Sequence, residues 1–299
     1  MFEDIEGSKT WSSVEKITKG WSTDEKYLVI TGEGKKQLLR ISPIDAFEGK
    51  KKEFEIIEKY SKTGINMSMP ISFGKCNQCK NTYMLLSWVE GPDLEGVLPT
   101  LPEAKQYQLG RDAGMILRKI HSIEVEQQDV PRATKKEKKL RQPQLYEDSK
   151  VRVEHDEPAI QYVKDNIWRI WKEKPVYEHG DFHPGNLIYM EDGSIGVIDF
   201  NRWEVGDPYE EFLKLESFVR EISIPYCIGQ IDAYFDDDIP EDFWNIHAVY
   251  AAHAALYSIK WAEKFGQEDI DRMKKRCITA FEDFENFRRV IPVWYTKRQ

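Results

Sequence analysis

The sequence predicts an α+β chain in two parts: a small antiparallel sheet carrying one main helix, then a larger, mainly helical part. Three observations predict it. Short β-rich runs punctuated by turn residues fill 12–89, and long patterns of helical period begin after Glu90-Gly91-Pro92-Asp93. Within the second part, the segments Val176 to Tyr189 and Ser194 to Phe200 read as two short apolar strands joined through Glu191-Asp192-Gly193. The boundary is drawn between 89 and 90, giving parts 1–89 and 90–299.

Taken in order, Val14 to Lys19, Tyr27 to Thr31 and Gln37 to Ile41 are strands, with Gly32-Glu33-Gly34 as a hairpin turn between the second and third. Ile44 to Ser61 places Phe47, Phe54, Ile57 and Tyr60 on one face of an amphipathic helix. Strands near Ile71 to Gly74 and Thr82 to Val89 complete the sheet. Helices are predicted over Glu103 to His121, Glu157 to Trp171, Tyr209 to Arg220, Phe243 to Lys264 and Glu268 to Arg288. The charged stretch Arg132 to Lys150 reads as a solvated connection, because its acidic residues break up any basic patch.

Composition narrows the function classes. With 52 acidic against 43 basic residues the net charge is −9, which disfavours nucleic acid as partner and is compatible with a cationic ligand. The longest apolar runs fall far short of the roughly 20 residues that cross a bilayer. The acidic start, from Met1 to Lys9, has no apolar leader core, so the expectation is a cytoplasmic protein without a membrane partner. Four scattered cysteines are too few for a disulfide framework. Cys227 and Cys277 suit a helical core. Cys76 and Cys79 form a lone C-x-x-C that reads as a hairpin turn, since no second ligand pair follows and Gly74, Asn77 and Gln78 surround it.

The chemistry concentrates between His179 and Asp199. Asp181 lies five residues before Asn186, at the entry to the first short strand, while Asp199 ends the second. An antiparallel return is expected to bring Asn186 and Asp199 side by side, with Asp181 close by. Carboxylate and amide oxygens gathered in this way suit a hard cation such as magnesium. Phosphoryl transfer needs such an ion at the nucleotide's terminal oxygens and a carboxylate to orient the attacking hydroxyl and accept its proton.

His179-Gly180-Asp181 followed by Asn186 resembles the His-Arg-Asp…Asn catalytic loop of protein kinases, and Ile198-Asp199-Phe200 resembles their Asp-Phe-Gly metal site. The fuller run His179-Gly180-Asp181-Phe182-His183-Pro184-Gly185-Asn186, then Gly206-Asp207-Pro208, is similar to the aminoglycoside phosphotransferase family and its choline-kinase-like relatives. Strong matching spans Tyr177 to Glu211. The resemblance implies a two-lobed protein-kinase-like fold, Asp181 as catalytic base, and Asn186 and Asp199 as ligands of Mg2+. His179 then packs the loop, and His183 supports it. Asp207 is expected at or near a helix N-cap.

On the nucleotide side, the kinase pattern has a lysine on the third strand that holds the nucleotide phosphates and pairs with a glutamate on the helix. Here Arg40 and Glu53 occupy those places, an Arg-for-Lys departure. The loop Thr18 to Thr23 is expected over the phosphates, with the Ser22 hydroxyl contributing, although it is not a Gly-x-Gly-x-x-Gly loop. A P-loop motif is absent from the sequence. The base of ATP or GTP is expected along Ser87 to Glu90, against Ser87, Val89 and Ile198.

For the acceptor, the resemblance points to the carboxyl-terminal helices. Asp237 and Glu241 stand there among Asp236, Asp238 and Asp242, with Trp244, Tyr250, Tyr257 and Trp261 nearby. Carboxylates and aromatic faces favour ammonium groups, whereas the helical spacing of the aromatics favours core packing for most of them. The leading expectation is a kinase that moves the γ-phosphoryl of ATP or GTP to a hydroxyl of an aminoglycoside-type antibiotic. The alternatives are a kinase of choline, a sugar or an amino alcohol, and a non-catalytic nucleotide-binding protein. A protein kinase is disfavoured because Gly206-Asp207-Pro208 follows Asp199 too soon for a long activation segment.

Overall fold

A computed structural model of the chain describes residues 2–18, 24–131 and 135–297. Contacts divide it into two compact units, Met1–Asp93 with Asn186–Trp203, and Leu94–Gly185 with Glu204–Gln299. The short hairpin 186–203 thus groups with the first unit, whereas the sequence-based boundary at 89/90 leaves it in the second part.

In the first unit, β1 (Trp11–Ile17), β2 (Glu25–Thr31), β3 (Lys36–Pro43), β4 (Pro70–Cys76) and β5 (Asn81–Ser87) form an antiparallel sheet in the order β1-β2-β3-β5-β4. Strand alternation decides its two faces. Tyr27, Val29, Leu39, Ile41, Tyr83 and Leu85 bury together on one face under Ile5, Phe2 and Trp11. On the other, α1 (Phe47–Ser61) packs through Phe47 and Phe54 on Phe73, with ring centroids 5.3 and 5.6 Å apart, and buries Ile56, Ile57 and Tyr60. The C-x-x-C is the β4–β5 turn, as expected. Asn77, Gln78 and Cys79 all have left-handed backbone, and both cysteines are free thiols. Burial pushes the Cys76 thiol up to about 11.

Two short strands, β7 (Leu187–Tyr189) and β8 (Ile195–Val197), make the predicted second hairpin. The backbone of 66–68 brackets β8: Val197 N–H donates to Asn66 O at 2.9 Å and Ser68 N–H to Val197 O at 3.0 Å. Tyr189 N–H donates to Pro92 O at 3.0 Å. The chain passes so close there that a β-carbon on Gly91 would lie 2.3 Å from Tyr189 O.

The second unit is helical around a two-stranded ribbon of β6 (Val176–Glu178) and β9 (Glu204–Gly206). Its helices are α2 (Leu94–Val97), α3 (Glu103–His121), α4 (Lys135–Glu147), α5 (Glu157–Asn166), α6 (Leu213–Ser217), α7 (Ile224–Tyr234), α8 (Glu241–Ala262) and α9 (Gln267–Asp283). α3 and α7 approach almost to backbone contact. A β-carbon on Gly110 would meet Tyr226 O at 2.2 Å, and one on Gly114 would meet Gln230 O at 2.3 Å. The predicted span Glu157 to Trp171 ends as helix at Asn166, followed by a 3-10 turn, and Tyr209 to Arg220 breaks into 3-10 turns around the single α-turn of α6.

Arg132 to Lys150 differs from the solvated connection expected: its described part is mostly α4. Tyr146 there is fully buried and donates to Asp156 Oδ2 at 2.7 Å, while Lys139 pairs with Glu210 at 2.8 Å. Tyr146 and this ion pair anchor a helix on which Leu140 and Leu145 stay exposed among charged residues. Among the described residues, no helix is long and apolar enough to cross a membrane.

Candidate active site

The residues singled out above fall in both units. Arg40, Glu53, Ser87, Val89, Asn186, Ile198 and Asp199 belong to the first, and Asp181, Asp237 and Glu241 to the second. Ser22 lies outside the described residues.

In the second unit, the loop after β6 is strapped from beneath. The Glu211 carboxylate, just ahead of α6, accepts the backbone N–H of His179 at 2.9 Å and of Gly180 at 2.8 Å. Gly180 has φ of 77°, a conformation a side chain would strain. Glu211 is buried beside His121, whose Nε2 is 3.6 Å away. Burial opposes its charge, yet His121, His179 and the backbone N–H groups outweigh it and hold the carboxyl below its ordinary range. His179 is fully buried, meets Phe182 edge-on at 5.7 Å, and accepts the Asp181 N–H on Nδ1 at 3.3 Å, as a packing residue should.

Asp181 is half-buried at the loop's surface. Lys214 Nζ on α6 lies 2.6 Å from Asp181 Oδ1, and His183 Nε2 lies 3.7 Å from the same oxygen. His183 Nδ1 accepts from Gly185 N–H at 3.1 Å, which fixes the tautomer and turns the Nε2 proton toward Asp181. Phe218 is the shared platform: His183 stacks on it at 6.0 Å and Lys214 sits over it at 5.4 Å. Burial pushes against the Asp181 charge, but the neighbouring His183 and the Lys214 cation prevail and hold its carboxyl far below the usual range.

Asp207, expected at or near a helix N-cap, lies two residues before Tyr209, the N-cap of the 3-10 turn Glu210–Phe212, and shapes the approach to it. Its Oδ1 accepts Tyr209 N–H at 3.0 Å, and its Oδ2 accepts Trp171 N–H at 2.6 Å and Tyr250 O–H at 2.7 Å. Burial nevertheless raises its pKa. Of the acceptor-side residues, Asp237 is gripped on both oxygens by Arg111, at 2.6 and 3.0 Å, and neighbouring Asp236 pairs with Arg118 at 2.6 Å. Glu241 is exposed in the first turn of α8. Trp244 and Tyr250 are core residues, and Trp261 is exposed.

In the first unit, Asn186 and Asp199 close the same end of the β7–β8 hairpin. Leu187 pairs with Val197, and Ile198 N–H donates to Asn186 O at 3.1 Å, so Asn186 stands opposite the residue before Asp199. Asp199 has left-handed backbone, φ 62°, and its side chain is 29% exposed. These are hard oxygen donors on adjacent rungs with access to solvent. Among the described residues no three His, Cys, Asp or Glu side chains gather as a metal cage. The donor set fits an ion such as magnesium that arrives with phosphate and keeps several waters.

Arg40 and Glu53 do pair, at 2.5 Å. The guanidinium is 3% exposed and also holds Asp24, from Nε at 3.0 Å and Nη2 at 2.5 Å. Lys50 bridges the same two carboxylates at 2.7 and 3.0 Å, and Ser42 O–H donates to Asp24 at 2.7 Å. Burial alone would weaken the Arg40 charge, but Glu53 and Asp24 raise its pKa instead. Lys26, directly across from Arg40 on β2, reaches Asp199 with Nζ 3.5 Å from Oδ2. Ser87 pairs with Met69 by its backbone N–H and by its hydroxyl oxygen, both at 2.8 Å. Val89 covers Gly196, whose absent β-carbon would lie 2.5 Å from Val89 Cγ1, and Ile198 is half-buried.

Sequence reasoning did not find Lys26, Asp24, Lys50, Lys214, Glu211 or Phe218. Only Lys26 carried a local signal, since period-two alternation along β2 and β3 puts it on the Arg40 face once their register is known.

Comparison with solved structures gives the same fold. The GDP complex of wild-type aminoglycoside 2'-phosphotransferase-IIIa aligns over 91% of this chain and 93% of its own, with TM-score 0.69 at 17% identity. A ternary complex of a thermostable mutant of aminoglycoside phosphotransferase APH(4)-Ia with AMP-PNP and hygromycin B aligns over 92% and 95%, with TM-score 0.68 at 16% identity. The gentamicin–APH(2")-IIa complex aligns over 90% and 91%, with TM-score 0.64 at 17% identity. No curated protein sequence matches the chain. The family model described as "Phosphotransferase enzyme family" matches residues 13–246, and with the kinase-like fold this assigns the chain: it belongs to the phosphotransferase enzyme family.

Proposed function

We propose that this phosphotransferase is a cytoplasmic small-molecule kinase that transfers the γ-phosphoryl of ATP or GTP to a hydroxyl of an aminoglycoside-type compound. The observation that carries the reading is the Asp181 carboxylate, kept ionised by Lys214 and His183 on a loop that Glu211 straps in place. In a loose phosphoryl-transfer transition state the acceptor hydroxyl needs orientation early and loses its proton late. A carboxylate of depressed pKa suits that order: Asp181 orients the hydroxyl by accepting its hydrogen bond and takes the proton as the oxygen bonds to phosphorus. Asn186 and Asp199 would hold Mg2+, which supplies charge neutralisation at the nucleotide's terminal oxygens. The Arg40–Glu53 pair would brace the nucleotide-binding sheet, with Ser87, Val89 and Ile198 near the base and Ser22 near the phosphates.

Two solved relatives are complexes with hygromycin B and with gentamicin, which supports a cationic, hydroxyl-rich acceptor. Asp237 and Glu241 are the proposed contacts for its ammonium groups. One observation favours a second reading: Arg111 and Arg118 already neutralise Asp237 and Asp236, which suits a less cationic acceptor such as choline, a sugar or an amino alcohol. A coupled nucleotide-turnover assay in magnesium with ATP and GTP, run against aminoglycosides, choline, amino alcohols and simple sugars, tests both. Stimulation by aminoglycosides supports the first reading and stimulation by a metabolite alone supports the second. Turnover by Asp181→Ala at the wild-type rate would overturn the role of Asp181.

A further inference from the structure

In the first unit, the cation expected to grip nucleotide phosphates is already committed. Three Arg40 nitrogens donate to Asp24 and Glu53, and Lys50 binds the same two carboxylates. Two cations and two anions therefore balance within this cluster, and Arg40 is buried in it. Such an arrangement ties β3 to α1 and to the start of β2, but offers no excess positive charge to a phosphate. Freeing Arg40 would leave two buried carboxylates short of a partner, a large penalty.

Lys26 is placed differently. It is the cross-strand partner of Arg40, so the two side chains rise from the same sheet face. Its Nζ stands 3.5 Å from Asp199 Oδ2, and the pair is partly open to solvent, 15% and 29% exposed. Asp199 is the carboxylate whose chemistry suits a magnesium ion. Were Asp199 to hold a metal, the lysine ammonium would stand beside the same spot, on a flexible stem with three donors.

We propose that Lys26 on β2 supplies the phosphate-binding cation of this kinase, and that Arg40 is a positioning residue that braces the sheet against α1. This rests on the kinase reading above. The division of labour makes the Arg-for-Lys departure on β3 intelligible. An arginine fork suits two carboxylates held at fixed geometry, while a compact ammonium suits a phosphate shared with a metal.

The test uses the full-length protein and calorimetric titration with magnesium AMP-PNP and magnesium GMP-PNP, beside adenosine and guanosine. For whichever triphosphate the wild type binds, Lys26→Met should weaken affinity about tenfold or more, as loss of a charge-assisted contact does. The matching nucleoside should bind within about twofold of wild type, and Lys26→Arg should recover part of the loss, since it keeps the charge but not the compact geometry. Without nucleotide, Lys26→Met should melt within about 2 °C of wild type, whereas Arg40→Met should melt several degrees lower, since it strands Asp24 and Glu53. Triphosphate binding by Lys26→Met within twofold of wild type would overturn the proposal. So would a melting loss in Lys26→Met as large as that of Arg40→Met. If wild type bound neither triphosphate, the kinase reading itself would fall, and the proposal with it.

Discussion

Replacing Glu211 with alanine isolates the strap beneath the loop at His179 and Gly180. The change removes the acceptor for two backbone N–H groups, those of His179 and Gly180. An N–H buried without an acceptor costs about 1–3 kcal/mol, and bonds to a charged acceptor lie in the upper part of that range. His179 is fully buried, so its N–H gains no water, while the half-buried Gly180 can be partly rehydrated. The expected loss is therefore about 4 kcal/mol. Glu211→Gln keeps one carbonyl oxygen as acceptor and should lose about half as much. Urea unfolding followed by tryptophan fluorescence measures both variants. With a slope of about 3 kcal/mol per molar, the alanine variant's midpoint should fall by more than about 1 M. The pH dependence has a definite sign. Because the folded pKa of Glu211 is depressed, its contribution is full above the unfolded carboxylate value of about 4.3 and is lost as pH falls through the folded value. The gap between wild type and Glu211→Gln should narrow below about pH 4. A loss under about 1 kcal/mol for Glu211→Ala, or a gap that widens on acidification, would refute the strap.

Two further expectations follow from the same geometry. Lys214→Met removes the cation 2.6 Å from Asp181 while leaving its burial. The acid limb of kcat/KM, expected below the ordinary carboxylate value of about 3.9 in wild type, should then move up toward that value, and an unchanged profile would count against the pairing. Gly114→Val inserts a side chain where even a β-carbon would lie 2.3 Å from Gln230 O. The two helices must separate, and a melting temperature lowered by more than about 4 °C is expected, whereas the wild-type value would show the approach to be looser.

The sheet and the hairpin 187–197 were legible in the sequence because each is a local pattern. Period-two alternation and Gly-containing turns name β2, β3, β5 and the β7–β8 return directly. α3 carries an uninterrupted helical period from Glu103 to His121 and was placed to the residue. α4 was not, since its many charged residues mask the buried aromatic anchor Tyr146. α7 escaped because Ile224 to Tyr234 is buried almost all round, leaving no polar face to set a period. The candidate site residues were legible, but their supports were not. Asp181, Asn186 and Asp199 lie within twenty residues of one another, whereas Lys214 and Glu211 reach the loop from about thirty residues further along. The Arg40–Glu53 pair was anticipated from the resemblance. Its burial against Asp24 was not, because that depends on where the start of β2 meets β3.

The most direct test of the kinase reading is mass spectrometry of the acceptor after incubation with magnesium ATP or GTP and the wild-type or Asp181→Asn protein. The account predicts acceptor gaining a single phosphoryl group with wild type, at a rate at least about a hundredfold higher than with Asp181→Asn. Nucleotide consumed with no phosphorylated acceptor, or equal product from both proteins, would contradict it.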